Sequence, residues 1–419
     1  MTAVVTVLGG SAVVTPQLAA ALAGEPALAG EHVELRLVGR DAVKLSRVAG
    51  ASTAAARGGA CTVSVSESLD AAAALEGAHF VVNQVRAGGL TGRAFDERFP
   101  LELGLPGEET MGPGGFANAW RTIPIVDSLF RLVREHAPEA KVLSLTNPAG
   151  IVHQVADRVG LDILTLCDSP VTLTRTAADC AGVAQSSPIP GYVGTNHGGW
   201  LTSLRVEGAD VLPIALEHAD ELGKRLGFDG DLLRRLRAVP NVYLRYIYYP
   251  DRQLAAQRSK PRVRAEELLD LESEALAAYS EGGDPGRVTE QRRALWYTEC
   301  IAPVVGALVS GQPLLTIGGV TNGDLVEWLP PETMLEVPVE IDAGGVRALP
   351  IVDELAVESR ALLLANSTYE RLTVEAVLTG DRTAAIQALA ANPIVPSVDV
   401  AAHVVELIEA EFGPITRRV

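Results

Sequence analysis

Cysteine is scarce: the four residues Cys61, Cys167, Cys180 and Cys300 stand far apart in 419, and none forms a Cys-x-x-Cys pair. That excludes a disulfide framework and a zinc ribbon, and a reducing, cytoplasmic setting is expected. Positive charge is short as well, with 35 Lys and Arg against 52 Asp and Glu and a net charge of −17. Nucleic acids and anionic membrane surfaces require a basic face, so neither is expected as a partner and a small molecule is. The balance leaves that molecule's charge open, because a local arginine cluster binds an anion even on an acidic protein. No apolar run approaches about 20 residues, and the apolar start Met1 to Leu8 has no basic flank and no cleavage site, so neither membrane insertion nor secretion is expected. Repeats and low-complexity linkers are also missing. With 47% apolar and 21% charged residues, the chain should fold throughout.

What is present reads as α/β. A buried strand, Ala3 to Leu8, runs into Gly9-Gly10-Ser11 and then an alanine-rich helix from about Pro16 to Ala23. Further apolar runs at Val33 to Val38, Phe80 to Val82, Val142 to Leu145 and Ile163 to Leu166 alternate with helical stretches, the pattern of a doubly wound, Rossmann-like parallel sheet. From about Gly191 the rhythm changes to shorter strand-like pieces, a charged helical segment around Asp220 to Leu236 and a polar stretch from Ala255 to Arg293. Tyr369 to Glu409 reads as helix, interrupted by Pro393 and Pro396. The expectation is a dinucleotide-binding domain over 1–190 fused to a mixed α/β lobe over 191–419, which would carry substrate, metal and oligomer contacts.

The strand, Gly9-Gly10-Ser11 and helix form the arrangement that sets a pyrophosphate over backbone N–H groups, although the strict GxGxxG spacing is missing and a purely structural turn fits equally well. At the end of the second strand, where an acid would hold the ribose hydroxyls of NAD, stands Gly39. Arg40 suits a 2′-phosphate and Asp41 could serve the ribose one step later, so NAD and NADP both remain open.

Several strings, spread over almost the whole chain, resemble glycoside hydrolase family 4. They include Asn83-Gln84-Val85-Arg86, Arg93-Ala94-Phe95-Asp96-Glu97, Gly107-Glu108-Glu109-Thr110, Thr146-Asn147-Pro148-Ala149-Gly150, Leu166-Cys167-Asp168 and Thr195-Asn196-His197. Glu370-Arg371-Leu372-Thr373 and Asn392-Pro393-Ile394-Val395-Pro396 follow near the end. That family is an exception to two-carboxylate glycoside hydrolysis.

The resemblance implies an elimination assisted by NAD and a divalent ion such as manganese. The sugar is oxidised at C3, a base removes the acidified C2 proton, the C1 substituent leaves, water adds, and C3 is reduced again. It implies Cys167 and His197 as metal ligands, Tyr243 as the base and Asp168 as the acid toward the leaving oxygen or, alternatively, as a partner of the metal shell. Gly9, Gly10, Ser11 and Asn83, with Arg40 and Asp41, are expected at the cofactor, Asn147 at the sugar hydroxyls, and Arg93 and Arg264 around a C6 anion. A phenol of ordinary pKa near 10 would need a cation beside it to work as a base, and the cluster Tyr243, Tyr246, Tyr248, Tyr249 should hold two or three packing residues. Aspartate at 168 tilts the reading toward α-glycosides, and a homodimer or homotetramer is expected.

Departures from the family pattern mark a divergent branch. Glu108 replaces a glutamine, Gly39 replaces the ribose acid, and Ser169-Pro170-Val171-Thr172 is atypical. A C6 sulfonate, as in sulfoquinovose, therefore stands beside C6 phosphate as a substrate group. The rivals from other classes are a 2-hydroxyacid dehydrogenase, which needs a His-Asp relay and no metal, and a non-catalytic sugar-nucleotide sensor.

Overall fold

Runs of β-branched and aliphatic residues build the first strands: β1 (Thr2–Leu8), β2 (His32–Val38), β3 (Thr62–Ser68), β4 (Phe80–Asn83), β5 (Lys141–Ser144) and β6 (Ile163–Thr165). In the computed structural model, which describes residues 2–282, 286–351 and 354–414, they lie in the parallel order β3-β2-β1-β4-β5-β6. This is the doubly wound order expected, with its direction reversing between β1 and β4, where the carboxyl ends open a crevice. β1, β4 and β6 are almost wholly buried because helices cover both faces. β3 was not among the expected strands. Its sequence Thr-Val-Ser-Val-Ser-Glu-Ser is mostly polar because it is the edge of the sheet, with only Val63 and Val65 packing against the core.

The sheet continues past residue 190. β7 (Ile189–Thr195), β8 (Gly198–Val206), β9 (Ala209–Asp210), β10 (Val239–Pro240), β11 (Leu314–Thr321), β12 (Met334–Asp342) and β13 (Gly345–Ala348) extend it beyond β6 in the order β6-β11-β12-β7-β8-β10, all antiparallel, with β9 and β13 pairing aside. Here the sequence reading is corrected in part: β9 and β10 are two-residue pieces, but β8 and β12 have nine residues each and exceed every strand of the first half. The stretch read as polar between 255 and 293 is mostly helix, Pro250–Arg258 and Arg264–Ser280. Glu267, Asp270 and Glu274 lie on the solvated face of the second helix, while Leu268, Leu271 and Ala275 are buried, and residues 283–285 lie outside the described residues.

Two cores lie on the two faces of the sheet. One joins Leu18, Leu35, Leu164, Trp200 and Val305. The other packs the helix Gly112–His136 under the C-terminal helices Val357–Thr379, Arg382–Ala391 and Val398–Phe412, through Phe116, Phe130, Tyr369, Leu389 and Val404. The end of the chain thus returns to the parallel half of the sheet. Among the described residues no helix is long and apolar enough to cross a membrane.

Candidate active site

One cavity of about 880 Å³ opens at the carboxyl ends of the parallel strands. Gly9, Ser11, Arg40, Arg93, Asn147, Cys167, Asp168, His197, Tyr243 and Arg264 all line it, so most residues singled out from the sequence meet in one place. Gly10, Asp41 and Asn83 do not line it, and each has a local reason. Gly10 packs on the β2 backbone, where an added Cβ would stand 2.8 Å from Leu37 Cα. Asp41 is the N-cap of the helix Ala42–Ala55 and accepts from the Lys44 N–H at 3.0 Å. Asn83, fully buried, donates to Ser144 Oγ at 3.1 Å, and the following residues Gln84, Val85 and Arg86 face the cavity instead.

The dinucleotide end is built on β1. Gly9 has φ +88° and lies against Gln84, a conformation that suits glycine. Gln84 Nε2 donates to Gly9 O at 3.2 Å and to Thr15 Oγ1 at 3.0 Å, while its own Oε1 accepts from Tyr297 at 2.5 Å. Tyr297, which also lines the cavity, opens a π-helical turn, Tyr297–Ile301.

The chemical centre combines three segments. Cys167 ends the loop after β6 and occupies the N-cap position of the helix Asp168–Cys180 without making a side-chain cap bond. His197 sits in the two-residue hairpin between β7 and β8 at φ +63°, unusual for a residue with a side chain. The sequence points to an open polar loop there. The structure instead has a tight turn, buried, with Gly194 and Gly199 facing each other so closely that a Cβ on Gly194 would lie 2.0 Å from Gly199 Cα. Asn196 Nδ2 donates to Glu336 Oε1 at 2.7 Å and ties that hairpin to β12.

Tyr243 comes from the short turn Val242–Leu244, where its N–H donates to Asn241 Oδ1 at 3.2 Å, and its ring stacks on His197 with centroids 3.5 Å apart and planes 4° apart. Tyr246, Tyr248 and Tyr249 do not line the cavity. Tyr248 accepts from Trp200 at 3.3 Å and Tyr249 from the Asp229 N–H at 3.1 Å, which are packing roles.

Burial sets the protonation states. It drives the His197 imidazole down to about 3, so the ring is neutral, and its Nδ1 is buried with no hydrogen-bond partner among the described residues. Burial, helped by Glu336 and Asp168, pushes the Cys167 thiol up. A neutral imidazole lone pair and a thiol that loses its proton only to a cation fit a borderline divalent ion. Among the described residues no group of three or more His, Cys, Asp or Glu side chains gathers into a closed metal cage. An ion held by these two ligands would keep open positions, as catalysis requires.

Burial together with Glu108 also holds the Tyr243 phenol well above 10. Without a cation in place it is an acid, so the activation expected from the sequence does not come from the protein alone. Burial and Glu299 raise the Asp168 carboxyl, which favours keeping its proton.

A second cluster is cationic and was only partly read from sequence. Arg93 pairs with Glu97 at 2.6 Å and Glu109 at 2.8 Å, and Arg86 pairs with the other oxygen of Glu109. Burial would raise Glu109, yet Arg86 and Arg93 hold it down at about 2. Glu97 also accepts from the Ala265 N–H at 2.8 Å, fastening Arg93 to the helix that begins with Arg264. Arg264 itself is exposed and paired with Glu267 at 2.7 Å. Arg292 lines the cavity without an ion-pair partner among the described residues, and burial together with Arg86 and Arg93 lowers it to about 10. Arg86 and Glu109 lie within strings already singled out, so a signal for them existed. Arg292 belongs to no motif.

Comparison with known proteins places these features in context. A family model described as family 4 glycosyl hydrolase matches residues 3–183, and that of the family 4 glycosyl hydrolase C-terminal domain matches residues 192–395. A 6-phospho-beta-glucosidase of Thermotoga maritima is 30% identical over 338 residues, 79% of this chain and 80% of that one. A phospho-alpha-glucosidase of Clostridium acetobutylicum is 29% identical over 370 residues, 81% and 82% of the two chains. A solved structure of the Thermotoga maritima 6-phospho-beta glucosidase, with manganese, NAD+ and glucose-6-phosphate, superposes with a TM-score of 0.88 at 26% identity, covering 99% of this chain and all of that one.

Proposed function

The chain belongs to glycosyl hydrolase family 4, and from that premise we propose that it hydrolyses a small glycoside bearing an anion at C6, phosphate or sulfonate, with the α-linkage favoured. The observation that carries this is the convergence in one cavity of the glycine turn, the Cys167, His197 and Tyr243 cluster, and the arginines 86, 93, 264 and 292. A 2-hydroxyacid dehydrogenase has no use for a cysteine and histidine pair poised for a cation, and the match of both halves of the chain to glycosidase families sets that rival aside.

When bound, the nicotinamide dinucleotide supplies reversible oxidation at C3 and the divalent ion supplies charge stabilisation next to C2. The chain's own side chains do the rest. Cys167 and His197 would hold the ion, Asn147 binds the sugar hydroxyls, Tyr243 takes the C2 proton, and Asp168, whose burial favours the protonated form, serves as the acid toward the leaving oxygen. The Arg93 network and Arg292 orient the anionic end of the sugar, an entropic contribution to the rate. The four cysteines are all free, which supports a reducing, cytoplasmic site of action, and we further propose a homo-oligomer and a division of labour near residue 190.

The test is a screen of C6-phosphorylated, C6-sulfonated and C6-hydroxyl glycosides, α and β, with the dinucleotide and Mn2+. Turnover confined to the anionic sugars is expected, and equal efficiency on the uncharged analogue would overturn the anion assignment. Arg292→Ala should lower kcat/KM on the anionic substrate by roughly 10- to 100-fold, about 1.5–3 kcal/mol for a charge-assisted bond. It should leave the uncharged analogue unaffected. Arg264→Ala should fold normally, because its exposed ion pair contributes about 1 kcal/mol or less.

A further inference from the structure

We infer that the chain takes NADP+ at least as tightly as NAD+, because the end of the cavity that faces the adenosine ribose presents an uncommitted arginine and no free carboxylate. This rests on the reading that the cavity holds a nicotinamide dinucleotide. In a doubly wound sheet the ribose lies beyond the end of β2, where an acidic residue accepts its hydroxyls and repels a 2′-phosphate. The register sets that place here: Leu8 of β1 stands beside Val38 of β2, and the Gly10 N–H donates to Val38 O at 2.8 Å. The glycine turn and residues 39 and 40 therefore lie side by side.

Gly39 has no side chain to offer. A Cβ at that position would come to 3.1 Å from Leu45 Cδ1 and 3.3 Å from Ser11 Oγ, so Ser11 fills the space that the stem of an acid would enter. Asp41, the nearest acid in sequence, is turned away and committed to the Lys44 N–H at 3.0 Å. Among the described residues the carboxylates lining the cavity are Glu109, Asp168 and Glu272. Glu109 and Asp168 belong to the sugar end, and Glu272 is neutralised by Lys44 at 2.6 Å. Arg40 lines the cavity, is exposed, and has no hydrogen bond or ion pair among the described residues. Its guanidinium fork can take two oxygens of one phosphate.

Calorimetric titration of the full chain, stripped of nucleotide and supplied with Mn2+, compares NAD+ with NADP+ directly and does not depend on turnover. A dissociation constant for NADP+ equal to or below that for NAD+ is expected. Arg40→Ala should weaken NADP+ by about 10- to 100-fold and leave NAD+ unchanged. Wild-type binding of NADP+ about tenfold or more weaker than NAD+, or an Arg40→Ala effect equal on both, would overturn the inference while leaving the dinucleotide reading standing. Binding of neither nucleotide would remove both.

Discussion

Cys167→Ser should lose activity by about 10³-fold or more while its melting temperature stays the same or rises. The first effect follows because a serine hydroxyl does not replace a thiolate as ligand, and several kcal/mol of charge stabilisation go with the ion. The second follows from position: Cys167 is an N-cap residue that makes no side-chain cap bond. Serine is among the best caps, with a typical effect of about 1 kcal/mol. His197→Asn should behave similarly, because asparagine tolerates the positive φ that alanine would strain. Thermal unfolding by circular dichroism and Mn2+ titration of the folded variants separate lost metal from lost fold. A chelator should reproduce the loss in the wild type. Turnover that survives in either variant in metal-depleted buffer would sink the metal assignment.

Legibility in the sequence followed how each residue is constrained. The buried parallel strands were legible because burial on both faces demands an unbroken apolar run, as in Val4, Val5 and Val7 of β1. The polar edge strand β3 was not, since only Val63 and Val65 pack against the core, too short a pattern to stand out. His197 was legible as a residue of interest, whereas its backbone state was not. The turn depends on Gly194 meeting Gly199 and on Glu336, which lies 140 residues from Asn196 in sequence. Asn83 and Gln84 show the limit of a motif: the string lands at the cavity, but strand alternation turns Asn83 inward and leaves Gln84 facing it. Arg292 belongs to no motif, and only the tertiary fold brings it to the cavity beside Arg86 and Arg93, whose charges and burial lower its pKa.

Tyr243→Phe should lower kcat by about 10²–10⁴-fold, the range for losing a general base, with KM nearly unchanged. The phenylalanine ring keeps the stack on His197, so the metal ligand stays supported and the loss reports the hydroxyl alone. Tyr246→Phe is the control, since Tyr246 lies in the same turn region and does not line the cavity. Product formed in D2O by the wild type should carry deuterium at C2, and any slow product from Tyr243→Phe should be traced for the same label. Asp168→Asn should behave differently. It should slow glycosides with poor leaving groups strongly and aryl glycosides with good ones little, because only the former need the proton. If Tyr243→Phe keeps more than about a tenth of the wild-type rate, proton removal belongs to another group. If the wild-type product carries no deuterium at C2, the C2 proton is never released to solvent and the elimination itself fails.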